Sequence, residues 1–372
     1  MNTKIVTKKG IMKLLNDWYV EMRSHHIITA KKLKVEIDTK IKKIKPTQKI
    51  LNYYSLLVFR FNMLIGEYKS DLNSSIDISA ETDHSIKYYY HFFTFIYTTE
   101  ISNYSEARKH LEQAEKLLTS IPDEAEKAEF NHRTSLFYYY IGQEAAAVIQ
   151  ATKAKEFFTN RPGYEIKLAA SNNTIGMACI RFKQFKIAER HFIAALRILK
   201  EQKDDSFLSL ILKTNYNLGL LYAEQNLSEL AIRYLSQSFE DEEKDYKTMF
   251  LLAREYFKTG NKEKASIYIK QGLKVCDKEY MYHFTILKTL NDYLPVEQLE
   301  EVVKKAIHYF KDKNLWTYIQ DYAKELAIQF YHLSNKKKSS QYLQMNNEVK
   351  KILEIMLHQA MNGNISKKER CL

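Results

Sequence analysis

The residue of this chain best suited to chemistry is Gln48, within the stretch from Pro46 to Arg60. The stretch has the apolar spacing of an amphipathic helix, with the glutamine in its first turn. A glutamine amide does not titrate, but it can orient a water molecule for attack on a phosphoryl group. The plainer interpretation is an exposed polar residue at a helix start, and Gln48 alone does not decide between the two.

The eleven histidines and three cysteines predict neither a metal site nor a disulfide. His25 and His26 are adjacent and so point to different sides of a helix, and no Cys-x-x-Cys motif occurs. Cys179, Cys276 and Cys371 are odd in number and far apart, which fits a reducing cytosol. No glycine-rich phosphate loop or serine-nucleophile motif is visible. We therefore expect no metal ion and no cofactor bound by the chain itself.

The composition predicts an almost wholly helical protein. Only 4 Pro and 9 Gly occur in 372 residues, and alternating strand patterns with tight Asn-Gly or Asp-Gly turns are missing. The chain shows no signal-peptide pattern and no apolar run of about 18 residues. We therefore expect a cytoplasmic protein without a membrane partner.

The positive charge is concentrated near the N-terminus. Residues 1–72 hold 13 Lys and 2 Arg against 6 acidic residues, so a local charge of +9 accounts for most of the total of +12. One interpretation is a solvated basic surface. The other is a contact with an acidic partner, either nucleic acid or an acidic protein face.

Apolar spacing predicts three helices in an N-terminal module of residues 1–68. The first two lie near Met12–Ser24 and Thr29–Ile44, and Pro46 suits the first turn of the third. Residues 69–84 are small and polar, which predicts a linker.

A helical-pair repeat follows, from residue 85 to 361, with a tail at 362–372. In two copies, Gly176 with Ala188 and Gly219 with Ala231, glycine and alanine are 12 residues apart. The fold class is therefore all-α, a three-helix bundle followed by a tetratricopeptide-repeat α-solenoid, whose concave face would bind peptide or protein. We predict a less regular pair at Leu294–Phe310. The small residues that open each second helix are Ala107, Ala147, Ala188, Ala231 and Ala265, spaced by 40, 41, 43 and 34 residues.

The repeat phase also predicts which first-helix residues face the concave side. Four of them are basic, which suits a peptide carboxylate, although these long chains could instead extend past the groove into solvent. An asparagine amide suits a peptide backbone because it both donates and accepts. The predicted residues, repeat by repeat, are Asn173, Ile180 and Arg181; Lys213, Tyr216 and Asn217; and Lys247, Phe250 and Arg254.

Four segments resemble the Rap proteins, the response-regulator aspartate phosphatases of spore-forming bacteria, and the resemblance extends over nearly the whole chain. Gln48 with Tyr53–Leu56 and Phe59-Arg60 is the most specific of them. The others are Leu15–Tyr19, Glu126–Phe130 and Lys313–Leu315.

The resemblance implies a function as well as a fold. In the family the module docks a response regulator, and some members remove the phosphoryl group from its aspartate while others keep a transcription factor from DNA. A short re-imported peptide of the Phr type binds the repeats and inhibits the protein, in quorum sensing that controls sporulation, competence or related differentiation. By position, Gln48 would place the attacking water, and Leu51, Tyr54 and Phe59 would contact the regulator. Asn217 would bond the peptide backbone, and Mg²⁺ is expected on the partner only.

The chain departs from the family pattern in two places. Family phosphatases often carry acidic residues just before the glutamine, where this chain has Pro46 and Thr47. In the family, an acidic residue of the repeats pairs with a basic residue of the peptide. Its position falls at Ile180 or Arg181 in this chain, so no acid is present. We therefore predict a cognate peptide with an acidic or neutral residue in place of the basic one.

Two alternatives to a phosphatase stay open. One is non-enzymatic sequestration of a response-regulator transcription factor. The other is a peptide-responsive DNA-binding repressor that uses the basic module. Nucleic acid is not the expected partner, because the N-terminal helices look too long for a helix-turn-helix and no glycine occurs between Gly10 and Gly66.

Overall fold

The computed structural model describes residues 7–67, 82–202, 207–239 and 245–368, with side chains as far as Ile355. Its regular elements are all helices, and no strand occurs within these ranges, so the predicted all-α class is confirmed. The chain divides into two compact units, Met1–Asn217 and Leu218–Leu372. The helices are α1 (Lys8–Arg23), α2 (Ile27–Ile41), α3 (Gln48–Leu64), α4 (His84–Glu100), α5 (Tyr104–Leu118), α6 (Glu124–Tyr140), α7 (Glu144–Phe158), α8 (Glu165–Arg181), α9 (Phe185–Glu201), α10 (Leu208–Glu224), α11 (Ser228–Ser238), α12 (Tyr246–Lys258), α13 (Lys262–Val275), α14 (Lys278–Asn291), α15 (Val296–Asp312), α16 (Trp316–His332) and α17 (Lys336–Lys368).

The three predicted helices of the N-terminal module are present as α1, α2 and α3. The start predicted for the third was wrong, because α3 begins at Gln48 and Pro46 lies before its cap. The Thr47 side chain accepts from the Ile50 backbone N–H at 3.4 Å, and a threonine cap of this kind ends the extended segment that proline favours. Gln48 is therefore the first residue of a helix.

The module shares an apolar core with α4, α5 and α6. Aromatic rings form much of it: Tyr19 of α1 lies 5.3 Å from Tyr89 and 5.6 Å from Phe93, between ring centroids. Trp18 of α1 is fully buried against Phe61 of α3. Edge and tilted ring contacts of this kind stabilise a core beyond the area that they bury. The module therefore packs directly on the first repeats.

The predicted linker lies largely outside the described residues, which resume at residue 82. Asp83 caps α4 by accepting from the Ser85 backbone N–H at 2.9 Å. The predicted tail is helical as far as Lys368, and residues 369–372 lie outside the described ranges.

The glycine–alanine pattern of the repeats has a direct structural cause. The five alanines that open the second helices are fully buried. A Cβ added to Gly176 would lie 2.6 Å from the Phe192 ring, and one added to Gly219 would lie 2.5 Å from Leu235. Only glycine lets the paired helices approach this closely. Gly272, on the second helix α13 of its pair, makes a similarly close approach to Phe284 on the following helix α14.

One predicted pair was wrong. Leu294–Phe310 is not two helices, because Val296–Asp312 forms the single helix α15. Its apolar residues Leu299, Val303 and Phe310 recur at helical spacing without a break and are all buried. In the part of the chain that the structure describes, no helix is both long and apolar enough to cross a membrane.

Candidate functional site

Gln48 lies exposed in the first turn of α3. Its Nε2 donates to Asn52 Oδ1 at 2.8 Å, one helical turn on. This bond fixes the orientation of the amide and directs its carbonyl oxygen Oε1 to serve as an acceptor. The N-terminus of α3 also carries the positive end of the helix dipole, which favours a nearby anion. These two features offer an acceptor for a water molecule next to a position that favours an anion.

The three residues predicted to contact a regulator differ in accessibility. Leu51 follows Gln48 by three residues, so it shares its helix face, and 38% of its surface is exposed. Tyr54 is half-buried and donates its hydroxyl to Asp38 at 2.5 Å. Phe59 is only 6% exposed, because its ring packs 5.5 Å from that of Tyr97 on α4. The structure therefore presents Leu51 with Gln48 and covers Phe59.

A buried cluster around Glu126 joins α1 to α4 and α6. Tyr19 and Tyr88 each donate a hydroxyl to Glu126 Oε1 at 2.9 Å, and Arg23 Nη1 lies 3.0 Å from Oε2. The same Arg23 nitrogen lies 2.7 Å from Asp123. Complete burial raises the pKa of Glu126, and the Arg23 guanidinium opposes that rise. We call Tyr19, Arg23, Tyr88 and Glu126 the Glu126 cluster.

A second buried carboxylate, Glu129, lies one turn further along α6. Lys167 Nζ lies 2.7 Å from it, Arg133 Nε 2.9 Å and Arg60 Nη2 3.9 Å. Burial opposes its charge, yet Lys167 and Arg133 hold the pKa of Glu129 well below its usual range. The sequence analysis matched both glutamates to the family but assigned them no role. Their spacing of three residues on one helix face was the signal that could have identified them.

Next to Glu129 is a cavity of about 270 Å³ within the first unit, which we call the basic cavity. Lys213, one of the predicted peptide residues, lines it from α10. The residues that line it are His25, His132, Arg133, Ile166, Lys167, Ala170, Ser209, Leu210 and Lys213.

Besides Lys213, the predicted peptide residues of the first unit fall into two places. Asn173 and Asn217 are both buried and bonded to each other, with Asn217 Nδ2 donating to Asn173 Oδ1 at 2.9 Å. Tyr216, on the same helix as Asn217, is half-buried. Arg181 forms an ion pair with Glu144 at 2.9 Å, and its guanidinium lies 4.6 Å from the centroid of the Tyr139 ring. The positive charge of Arg181 is therefore paired with a carboxylate of the same chain.

Lys247, Phe250 and Arg254 belong to the second unit. Phe250 and Arg254 line a cavity of about 290 Å³ on α12, α14 and α16. Arg254 donates to Glu255 at 2.9 Å, and Lys247 lies 5.9 Å from the Tyr280 ring.

The cavity of the second unit also contains acidic side chains that the sequence analysis missed. Asp321 and Glu325 line it from α16. Concave-facing residues were predicted only as far as Arg254 on α12, so these two acidic residues were not among them. Their i, i+4 spacing places them on one helix face and was the available signal. This cavity is therefore mixed in charge rather than basic.

No group of three or more His, Cys, Asp or Glu side chains with the geometry of a metal site occurs among the residues with described placement.

Comparison with known proteins identifies relatives over most of the chain. Residues 5–66 match the family model described as response regulator aspartate phosphatase H, N terminal. Regulatory protein RapG of Bacillus subtilis (strain 168) is 30% identical over 272 residues, which cover 69% of this chain and 72% of RapG. Response regulator aspartate phosphatase I of the same organism is 26% identical over 366 residues, 93% of this chain and 91% of that protein.

The fold is also similar to a solved structure, that of the Rap conjugation gene regulator of the plasmid pLS20 in complex with the Phr* peptide. The TM-score is 0.60 at 22% identity, with 93% of this chain and 96% of that chain covered. At this identity the likeness concerns the fold.

Proposed function

Because the chain belongs to the Rap family, we propose that it controls a response regulator under the command of a short peptide, and that it dephosphorylates the regulator through Gln48. The observation that carries the proposal is the exposed Gln48 amide at the start of α3, oriented by Asn52 and beside the exposed Leu51. In this proposal residues 1–68 form the regulator-binding module and residues 85–361 the peptide-sensing domain.

In the proposed reaction this chain contributes only the positioning of a water molecule. Gln48 Oε1 would accept a hydrogen bond from a water molecule and aim its oxygen at the phosphorus of the regulator's aspartyl phosphate. The water oxygen bonds to phosphorus while the bond from phosphorus to the aspartate oxygen breaks. The aspartate leaves as a carboxylate, and both water protons stay with the inorganic phosphate, which then equilibrates with solvent. The regulator's own Mg²⁺ would neutralise the phosphoryl oxygens. Positioning of this kind accelerates a reaction without any titrating group on the phosphatase.

Peptide control is supported by a relative and by the structure of the first unit. The regulator of plasmid pLS20 was solved with the Phr* peptide. The buried pair of Asn173 and Asn217 supports a backbone-binding role for Asn217, because each amide keeps further donors and acceptors besides the bond that joins them. We propose Asn217 as the backbone ligand.

Sequestration without catalysis is the second candidate. Pro46 and Thr47 stand where phosphatases of the family often have acidic residues, and the structure uses Thr47 as the cap of α3. In this case Leu51 and the neighbouring surface would bind a regulator, and Gln48 would contribute only a polar contact.

A panel of phosphorylated response regulators tests the proposal. We expect wild-type protein to remove the label from at least one regulator, and Gln48→Ala to lose that activity while keeping regulator binding. Binding without loss of label from any regulator would favour sequestration. Tight, salt-sensitive binding to duplex DNA instead would favour the repressor.

A further inference from the structure

The basic cavity carries more positive charge than its neighbourhood neutralises. Three of its nine lining residues, Arg133, Lys167 and Lys213, are Lys or Arg, and none is acidic. The carboxylates behind it are Glu129, which Arg60, Arg133 and Lys167 share, and Glu100, whose Oε1 lies 3.6 Å from Arg133. Among the described residues no carboxylate pairs with Lys213. Four cations therefore face two carboxylates.

The cavity is built from both the module and the repeats. His25, in the turn between α1 and α2, has a positive φ of 64° and comes from the module. His132 and Arg133 lie on α6, Lys167 on α8 and Lys213 on α10. His132 and Lys167 are each 4% exposed, so their polar atoms are held in place by packing. A ligand in this cavity would contact three repeats and the module at once.

The pKa values of the lining residues are shifted mainly by burial, and for the histidines also by the neighbouring cations. Burial, with Lys167 and Arg133 nearby, lowers the pKa of His25 to about 4 and that of His132 to about 3. Burial also lowers the pKa of Lys167 to about 8, even though Glu129 opposes the shift. Lys213 remains exposed at the cavity, but the surrounding protein desolvates its ammonium enough to lower its pKa. An anion between these groups would reverse part of each shift.

The position of the cavity indicates what kind of anion it takes. Lys213 precedes Asn217 by four residues, so the two side chains share one face of α10, a helical turn apart. A peptide whose backbone is bonded by Asn217 would therefore place its neighbouring residue near Lys213. The cavity volume of about 270 Å³ accommodates one carboxylate-bearing residue.

We propose that the basic cavity is the subsite for a carboxylate of the signalling peptide, with Lys213 and Lys167 as its ligands and His25 as the contact from the module. This inference rests on the proposed peptide control. It specifies that one end of the proposed peptide site binds a carboxylate. It also specifies that the bound peptide contacts the module directly. The carboxylate comes from an acidic side chain or from the peptide's C-terminus.

Histidine titration by NMR tests this on the whole protein, with small molecules as probes. The carboxylate probes are N-acetylglutamate α-amide, for a side chain, and N-acetylalanine, for a C-terminus. The uncharged N-acetylglutamine α-amide is the matched control. We expect one carboxylate probe to raise the pKa of His25 saturably, by about one unit, and the uncharged probe to leave it unchanged. Which carboxylate probe acts identifies its source.

Two variants remove the same charge in different places. Lys213→Gln should abolish the probe-induced shift, while Lys186→Gln, on the exposed face of α9, should keep it. No saturable shift in wild type, or an undiminished shift in Lys213→Gln, would overturn the proposal. A response to inorganic phosphate without a response to either carboxylate would overturn it too, as would equal shifts from the uncharged probe.

This experiment is independent of the proposed catalysis. It uses no regulator, so its failure leaves the role of Gln48 untouched. Conversely, a chain without phosphatase activity could still show the shift and the loss in Lys213→Gln.

Discussion

Gln48 and His132 show how single side chains acquire roles from their surroundings. Gln48 is exposed, yet its amide is oriented by Asn52, so an ordinary helix-start residue becomes a fixed hydrogen-bond acceptor. His132 has the opposite surroundings: it is buried on α6 near Lys167 and Arg133, and its Nδ1 lies 3.4 Å from the Ser171 hydroxyl. The first arrangement suits the proposed binding or catalysis, whereas the second makes stability depend on pH.

We predict that acid destabilises the protein through His132. Its pKa in the folded state is about 3, against an ordinary value of 6.5, so the unfolded chain binds a proton first as the pH falls. The contribution of neutral His132 is present above pH 6.5 and is lost below it. Between about pH 7.5 and about pH 5 this should cost about 2 kcal/mol.

Urea unfolding at the two pH values measures this cost. His132→Gln should reduce the difference between them, and His308→Gln, at an exposed position, should leave it intact. An unchanged pH difference in His132→Gln would show that this histidine is not responsible.

The helix pairs depend on glycine for their close approach. Gly176 of α8 lies against the Phe192 ring of α9. A methyl group added at Gly176 would lie only 2.6 Å from a carbon of that ring. A phenylalanine ring buried on both faces cannot shift without moving the pair. The repeat spacing is therefore a packing requirement, and it connects the sequence pattern directly to the solenoid.

We predict that Gly176→Ala destabilises the protein by about 1–2 kcal/mol. Alanine gains about 1 kcal/mol in helix propensity, but overpacking against Phe192 costs more. Thermal unfolding of Gly176→Ala, Phe192→Leu and the double variant gives the coupling between the two positions. The smaller leucine should relieve the clash. The double variant should therefore lose less stability than the two single variants lose together. Simple additivity would contradict the contact.

The elements were predictable from sequence to different degrees, for physical reasons. The periodic apolar and small residues around Ala188 and Ala231 identified the paired helices, because packing demands them. The stretch that forms the single helix α15 was predicted to be a pair of helices. It contains no glycine that would show where one helix of a pair contacts the other. The covering of Phe59 by Tyr97 and the bond of Arg23 to Glu126 could not be predicted, because both depend on how the module packs on the repeats.

Buried charges hold the N-terminal module against the first repeats. The Glu126 cluster holds α1 to α4 and α6, and the same packing covers Phe59 of α3. A regulator that contacts Phe59 would require α3 to separate from α4. In the structure the module is packed against α4 and α6, and we call this packing its docking.

We predict that Arg23→Ala weakens this docking. The change leaves the Glu126 carboxylate buried without its cation, and breaking a buried pair in this way costs about 3–5 kcal/mol. Hydrogen exchange should rise in α1 and α3, while α8 and α9 keep their protection. Arg197→Ala, an exposed change of the same type, should alter neither region. Equal exchange in α1 and α3 of Arg23→Ala and wild type would contradict a docking role for the cluster.

The most direct test of the central claim is the single-turnover rate of phosphoryl loss from a response regulator that binds the protein. The protein is held in excess, so weak binding does not limit the rate. Gln48→Ala should slow the reaction by about 100-fold or more, because the attacking water loses its orientation. Gln298→Ala, an exposed glutamine in the first turn of α15, should react like wild type. An equal rate in wild type and Gln48→Ala, with bound regulator in both, would contradict catalysis by Gln48.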